Sequence, residues 1–206
     1  MMQKSKGLGN TQERSVDQIS FELGWFCAAI EGEGSINLNG RLWKHKKYNM
    51  QSVGISPIIT LSNLKPEFLD FASLIASRFG SPGHRYATKY DHKRTTVQHR
   101  LEWWGPKRCL KILNQIEPYL LIKKANAAVV REFCELRLSK SPKARYGLRE
   151  YQLLQQSRAL HPFKAKHNPE LEKRLTEILR DFTSNGKEEP KIKSGPVGNF
   201  RESKLS

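Results

Sequence analysis

The sequence predicts an α+β fold, in which an antiparallel sheet carries its helices on one face. Two kinds of hydrophobic pattern indicate this: segments with apolar residues at helical spacing, and segments in which apolar and polar residues alternate. Their order along the chain, α-β-β-α-β-β-α-α, is typical of helices layered on such a sheet. The 206 residues are enough for one domain with an appendage.

The first three elements lie between residues 16 and 61. An apolar run over about 16–32 predicts a helix, and Ser35–Leu42 alternates polar and apolar residues as a half-buried strand does. A basic loop, WKHKKYNMQ, separates it from a second alternating segment, Val53–Leu61. Pro57 lies inside this segment and predicts an edge position or a bulge, because proline cannot donate to a strand ladder.

The remaining elements of the sheet and its helix layer follow in the same way. Proline at the start and glycine just past the end bound a helix from Pro66 to Phe79. Alternation predicts strands at His84–Tyr90 and Thr95–Trp104, with Trp103 in the core. Helices are predicted at about 106–117 and 123–139.

We divide the chain into four parts. Residues 1–14 and 185–206 are poor in large apolar residues and rich in charge, so we expect flexible termini. Residues 15–140 form the α+β domain and residues 141–184 a helical extension. The extension carries an apolar stripe, which predicts either packing on the chain's own core or a partner surface. Its members are Leu171, Leu175, Ile178, Leu179 and Phe182.

Charge is the strongest bulk property of the sequence. Lysine and arginine number 36 against 20 acidic residues, a formal net charge of +16. Such an excess implies an anionic partner, and nucleic acid is the usual one. The alternative is a basic protein that its charge merely keeps in solution.

Cysteine usage and hydropathy bear on the compartment. Cys27, Cys109 and Cys134 show no C-x-x-C spacing, so we expect buried thiols in a reducing, intracellular compartment and no zinc site. No apolar run approaches the roughly 20 residues of a membrane span. The polar start, MMQKSKGLGNTQERS, lacks the apolar core of a secretory signal. We therefore expect no membrane partner.

The segment Phe21–Asn39, FELGWFCAAIEGEGSINLN, carries the strongest local signal. Gly24, Ala28 and Gly32 recur every four residues, so one helix face has almost no side chains and another helix can approach it closely. That helix is either a neighbour in the same domain or its own copy. Glu31 and Glu33 lie at the C-terminal end, where the helix dipole disfavours negative charge.

A second copy would explain these acids. Two such helices packed about a two-fold axis would place their Glu33 carboxylates side by side, next to carbonyls of the last turn that lack internal partners. Carboxylate, carbonyl and water oxygens suit Mg²⁺. A metal-bridged carboxylate pair beside basic strands is suited to phosphodiester hydrolysis.

Three segments resemble the LAGLIDADG homing endonucleases. LGWFCAAIEGEGSI resembles the family signature, LSNLKPEFLDFASLIASRFG its second strand and second helix, and IEPYLLIKKANAAV the segment with its basic residue. The resemblance covers about 16–140. It implies the αββαββα homing-endonuclease fold, with a saddle-shaped antiparallel sheet and helices on one face.

The resemblance also implies a catalytic centre. Glu33 matches the metal-binding, catalytic acid, the carbonyl of Gly32 joins the coordination, and Glu31 matches a more structural acid. Lys123 matches the lysine that activates or positions water; Lys124 is its alternative, and the pair could instead simply be solvated. The implied metal is Mg²⁺, with Mn²⁺ as a substitute. Thr60, Ser62 and Asn63 are the candidates for the polar residue that organises water.

The chain contains a single copy of the signature motif. By its resemblance to single-motif members of the family, this implies a homodimer that binds double-stranded DNA in the major groove. Lys44, His45, Lys46 and Lys47 are expected to hold phosphates. The polar strand faces are expected to contact bases through Asn37, Asn39, Arg41, Ser56, Thr60, Arg85, Lys89, Gln98, Arg100 and Glu102. We assign no role to His84, His92 and His99.

The leading hypothesis is therefore an intron-type, site-specific, Mg²⁺-dependent endonuclease of double-stranded DNA. The alternatives are an RNA-binding intron maturase on the same fold, which the basic segment after residue 140 favours, and a non-catalytic DNA-binding regulator. Glu33 and Lys123 together favour the endonuclease, since neither binding function needs both.

Overall fold

A computed structural model describes residues 15–45, 50–89, 97–160 and 168–184. These residues form six α-helices and one four-stranded antiparallel sheet with strand order β1-β2-β4-β3. The elements are α1 (Val16–Glu33), β1 (Gly34–His45), β2 (Met50–Asn63), α2 (Pro66–Arg78), β3 (His84–Lys89), β4 (Val97–Trp104), α3 (Pro106–Ile116), α4 (Lys124–Ser139), α5 (Leu148–Ala159) and α6 (Pro169–Ser184). The predicted α+β class and element order are confirmed. Of the predicted strand ends, Tyr90, Thr95 and Thr96 lie outside the described residues.

The helices pack on one face of the sheet, here called the covered face. Its side chains alternate with those of the opposite, open face, as strand geometry requires. Ile59, Leu61, Leu101 and Trp103 are fully buried on the covered face. The prediction that Trp103 belongs to the core is confirmed.

Pro57 lies where the sheet narrows. It pairs with Leu38 of β1, whereas the pairing of β2 with β4 begins only at Ile58. Its missing N–H therefore falls where β2 has no second neighbour, and the predicted edge position is correct. Beyond this point, the Tyr146 hydroxyl donates to the carbonyl of Ile55 at 2.9 Å and accepts from its N–H at 3.2 Å.

The C-terminal helices complete the core at the β1 edge. Leu154 of α5 and Leu171 of α6 lie over Gly40, where an added Cβ would come within 3.1 Å of both side chains. The Ser157 hydroxyl accepts a hydrogen bond from the Leu38 N–H at 2.9 Å, across 119 residues of sequence. Of the two alternatives for the α6 stripe, the structure shows packing on the chain's own core.

The three cysteines are free and buried, as predicted. Burial raises the pKa of the Cys27 thiol to about 11, so it is protonated and inert near neutral pH. Within the described residues, no helix has the length and apolar character needed to cross a membrane.

Candidate metal centre and nucleic-acid interface

The end of α1 joins directly to the first strand of the sheet. Gly34 donates its N–H to the carbonyl of Ile30 and then pairs with Leu61 of β2. A Cβ at Gly34 would lie 2.7 Å from the Ile30 oxygen, so no larger residue fits this junction without a shift. Glu33 is thereby placed immediately before the first residue of β1, and its side chain is exposed.

Glu31 ties this helix end to the start of α4. Its carboxylate accepts hydrogen bonds from the backbone N–H groups of Leu121 at 2.9 Å, Ile122 at 3.1 Å and Lys123 at 3.2 Å. A carboxylate is favourable at the start of a helix, where the dipole is positive. The first acid of the motif therefore has structural partners of its own.

The Lys123 side chain places a positive charge at the end of α1. Its Nζ donates to the carbonyl of Ile30 at 2.9 Å and to that of Glu31. Burial lowers the pKa of the Lys123 amine, and attraction to Glu31 and Glu33 opposes this shift. The cation that two acids at a helix C-terminus require is thus supplied by this lysine, whereas Lys124 is exposed on α4.

The oxygen donors at this position fit a hard cation. Glu33 offers an exposed carboxylate, and the carbonyl of Gly32 belongs to the last turn, which lacks internal partners. Carboxylate and carbonyl oxygens with water are the ligands that Mg²⁺ takes. In the described ranges of one chain, no three His, Cys, Asp or Glu side chains come together as a metal cluster.

One side of α1 is not covered by any of the residues that the structure describes. A Cβ added at Gly24 or Gly32 would meet nothing within 4 Å, and Ala28 is exposed. Beside the end of this helix, Leu121 is 87% exposed and Ile122 is 81% exposed. The small-residue face predicted to receive another helix has no partner helix among the described residues.

The open face of the sheet collects most of the polar side chains predicted to contact DNA. Cross-strand partners lie on the same face, and the register pairs Asn39 with Ser56 and Thr60 with Glu102. The predicted residues that alternation places on this face are Asn37, Asn39, Arg41, Ser56, Thr60, Gln98, Arg100 and Glu102.

The predicted orientation of β3 is wrong. Arg85 pairs with the buried Leu101 and therefore points to the covered face. There it forms an ion pair with Asp70 of α2 and donates to the carbonyl of Pro66 at 3.0 Å. Arg85 therefore does not take one of the open-face strand positions.

The four residues predicted to contact phosphates cannot be placed. The side chains of Lys44 and His45, and the whole of Lys46 and Lys47, lie outside the described part of the chain. The Lys89 side chain lies outside it as well.

Three residues that sequence reasoning missed take the open-face positions of β3. His84, Tyr86 and Thr88 pair with Glu102, Arg100 and Gln98. The Tyr86 hydroxyl donates to Glu102 and is also hydrogen bonded to Arg100. Burial raises the pKa of Tyr86, and the bond to Glu102 adds to the rise. Two predicted base contacts are therefore joined by a tyrosine into one cluster.

Two tryptophans are also exposed on the open face. Trp43 is 57% exposed and lies over Gly54, where an added Cβ would come within 2.5 Å of the indole nitrogen. Trp104 is 49% exposed and pairs with Ile58. Trp104 follows the buried Trp103, so the alternation of the strand places its side chain on the open face.

The three candidates for organising water, Thr60, Ser62 and Asn63, lie near the end of β2. Asn63 uses its side-chain oxygen to accept from the Lys65 N–H at 2.9 Å, in the turn that leads into α2. Thr60 and Ser62 lie on the open face on either side of Leu61, the partner of Gly34. Both are therefore close to the end of α1.

Comparison with known proteins supports the fold. No family model matches the sequence, and no curated protein matches it. Among solved structures, the homing endonuclease I-CvuI in complex with a DNA target matches with a TM-score of 0.59 and 15% identity, over 81% of this chain and 97% of that chain.

Two further structures match in the same way. The archaeal intron-encoded homing endonuclease I-Vdi141I, complexed with DNA, has a TM-score of 0.57 and 16% identity over 80% of this chain and 96% of that chain. The LAGLIDADG homing endonuclease I-LtrWI, bound to target DNA, has a TM-score of 0.53 and 17% identity over 76% of this chain and 49% of that chain. The resemblance seen in the motif is thus confirmed at the level of structure: the chain has the fold of the LAGLIDADG homing endonucleases.

Proposed function

We propose that this protein is a homodimeric, site-specific endonuclease that hydrolyses phosphodiester bonds of double-stranded DNA with a divalent metal. The observation that carries the proposal is the end of α1, where the exposed Glu33 attracts the Lys123 amine and β1 of the sheet begins at the next residue. The structural neighbours, homing endonucleases bound to DNA, support it. The buried free thiols are consistent with a reducing, intracellular setting.

The metal would be held by the Glu33 carboxylate and the Gly32 carbonyl, with Mg²⁺ as the natural ion and Mn²⁺ as a substitute. When bound, it would supply Lewis-acid stabilisation of the phosphate under attack. Lys123 holds a proton-bearing amine at the same helix end, where it can position water or stabilise developing charge. Thr60 and Ser62 can orient water from the open face.

A homodimer would complete the site. Packing of two α1 helices along Gly24, Ala28 and Gly32 would bring two Glu33 carboxylates together and cover the exposed Leu121 and Ile122. The two open faces would then form one continuous surface for a major groove. Base contacts would come from Asn37, Asn39, Arg41, Ser56, Thr60, Gln98, Arg100 and Glu102, with His84, Tyr86 and Thr88 added from β3 and Arg85 left out.

A second candidate is an RNA-binding intron maturase. The exposed Trp43 and Trp104 favour it, because unpaired bases stack on accessible aromatic rings whereas duplex DNA keeps its bases stacked. This function would not require Glu33.

The experiment that tests the endonuclease is cleavage of a randomised-target plasmid library with Mg²⁺ and with EDTA. Glu33→Gln should lower cleavage by more than about a hundredfold, because a metal-ligand charge is lost, while DNA affinity and folding are kept. Glu135→Gln is the matched control, since Glu135 is exposed on α4 and lies 3.8 Å from Arg131 in a weak pair.

Three results separate the hypotheses. Mg²⁺-dependent cuts at one enriched sequence, lost in Glu33→Gln alone, would establish the endonuclease. Unchanged cleavage by Glu33→Gln would refute it. No cleavage by any variant, with tight and salt-sensitive binding to structured RNA, would favour the maturase.

A further inference from the structure

A cavity of about 660 Å³ opens where β2 continues past the end of β4. Its walls come from these two strands, the first turn of α3, the C-terminal half of α4 with Lys140, and Pro142 and Tyr146 of the extension. Ser56 and Trp104 line the cavity and also lie on the open face. The cavity is therefore continuous with the surface proposed to hold DNA.

The cavity is strongly basic. Lys107, Arg108, Arg137 and Lys140 line it, and none of the described residues in its wall is acidic. Arg137 and Lys140 share one carboxylate, that of Glu150, at 3.0 and 2.8 Å. This triad keeps a net positive charge, because two cations meet one anion. Lys107 and Arg108 are exposed, and the described chain offers neither a carboxylate partner.

The backbone at the mouth of the cavity adds to this charge. Gly105 is the residue before α3, so no side chain caps the first turn of that helix, and this turn contains no acid. Lys107 and Arg108 instead occupy it, where the helix dipole disfavours cations. Gly105 has φ of +86°, and a Cβ there would meet nothing within 4 Å. Positive groups that repel one another thus surround an accessible space.

We propose that this cavity binds phosphate groups of the DNA backbone at the flank of the duplex that lies on the open face. The proposal rests on the proposed function and names a phosphate site for the same substrate. A phosphate in the cavity relieves the repulsion among the cations, and an Arg guanidinium can bind it through two parallel N–H groups. The site contributes affinity and not sequence choice, since phosphates carry no base identity. It also gives the extension a part in DNA binding.

The test uses a charge reversal that leaves the fold undisturbed. Lys107→Glu with Arg108→Glu removes both unpaired cations and places carboxylates at a helix N-terminus, where they are favourable. Arg137 and Lys140 are left alone because they hold the buried Glu150. The matched control is Lys173→Glu with Arg180→Glu, the same charge change on exposed positions of α6, which packs on the covered face.

The measurement is the affinity of the full chain for a fluorescent duplex of random sequence, without divalent metal, over a series of salt concentrations. Two lost phosphate contacts should weaken binding by at least about tenfold and lower the slope of log K against log salt by roughly two. The α6 control should change affinity by less than about threefold, since it shares only the change in net charge. Thermal melting checks the fold of each variant.

Equal losses in the two reversal variants would overturn the proposal, since net charge alone would then explain them. Loss of binding to structured RNA with duplex binding intact would overturn it in favour of an RNA site. Lys107→Gln with Arg108→Gln, which removes the charges without reversal, repeats the test if the reversal melts early. A wild type that cleaves no DNA, with duplex affinity still lost in the cavity variant, would refute the endonuclease and support the cavity site.

Discussion

The two faces of the sheet are made from the same strands but serve different purposes. On the covered face, Ile59, Leu101 and Trp103 are fully buried and stabilise the fold. On the open face, their sequence neighbours Thr60, Arg100 and Trp104 are half-buried or exposed. Each strand therefore alternates between residues that stabilise the core and residues that we propose contact DNA. Substitutions of adjacent residues should therefore have unlike effects.

The largest expected effect comes from a pair of neighbours in β2. Ile59→Ala should lower the free energy of unfolding by about 2–5 kcal/mol, because it leaves a cavity in a fully buried site. Thr60→Ala should change it by no more than about 0.5 kcal/mol and lower DNA affinity instead. Chemical denaturation and duplex binding measure the two. Similar losses of stability in both variants would break the division between the faces.

A second substitution extends the comparison from the sheet to α1. Gly24→Leu should leave the monomer folded and raise its stability by up to about 1 kcal/mol, since an exposed helical glycine is replaced. In a dimer, two added side chains would collide at a cost of about 1–3 kcal/mol, which raises the dissociation constant by roughly 5- to 150-fold. Sedimentation equilibrium measures this. Ala128→Leu, at an exposed position of α4, is the control, and an unchanged dimer in Gly24→Leu would exclude this face as the interface.

Glu31 and Glu33, the two acids of the motif, allow a similar comparison at the end of α1, between an acid with hydrogen-bond partners and an exposed one. Glu31→Ala removes the acceptor of three backbone N–H groups and should cost about 1–2 kcal/mol of stability, as loss of a helix cap does. Glu33→Ala, at an exposed carboxylate, should cost no more than about 0.5 kcal/mol. Thermal or chemical unfolding distinguishes them. Equal stabilities would mean that water replaces Glu31 without loss.

The smallest expected effect tests the corrected orientation of β3. Arg85→Ala removes a partly exposed ion pair with Asp70 and should cost about 1 kcal/mol or less, with DNA affinity unchanged. Arg100→Ala should lower DNA affinity, because Arg100 lies on the open face with Tyr86. Fluorescence anisotropy on the recovered target compares them. Weaker binding by Arg85→Ala alone would restore its predicted contact with DNA.

The sequence was informative wherever one side of an element is apolar. Alternation in β1, β2 and β4 predicted their faces correctly, because burying the wrong face would expose residues such as Ile36 and Ile59. The order of elements followed for the same reason.

Prediction failed where polarity does not alternate. The strand HRYATK is polar at nearly every position, so nothing in it distinguishes Arg85 from Tyr86, and only pairing with β4 decides the face. The hydrogen bond from the Lys123 amine to the carbonyl of Ile30, 93 residues earlier in the chain, is not indicated by any local sequence pattern either. The basic cavity likewise forms only when α3, α4 and the extension meet, so its residues look like ordinary solvated charges in the sequence.

The hydrogen bond between Leu38 and Ser157 also constrains how the protein is made. A nascent chain emerges from its N-terminus, so the outer strand leaves the ribosome 119 residues before the hydroxyl that satisfies it. At typical elongation rates this interval lasts about 6–24 seconds, during which an unpaired strand edge is available to other chains. We therefore expect protection of this strand during translation, by a chaperone or by neighbouring positive charge, to raise the yield of folded protein.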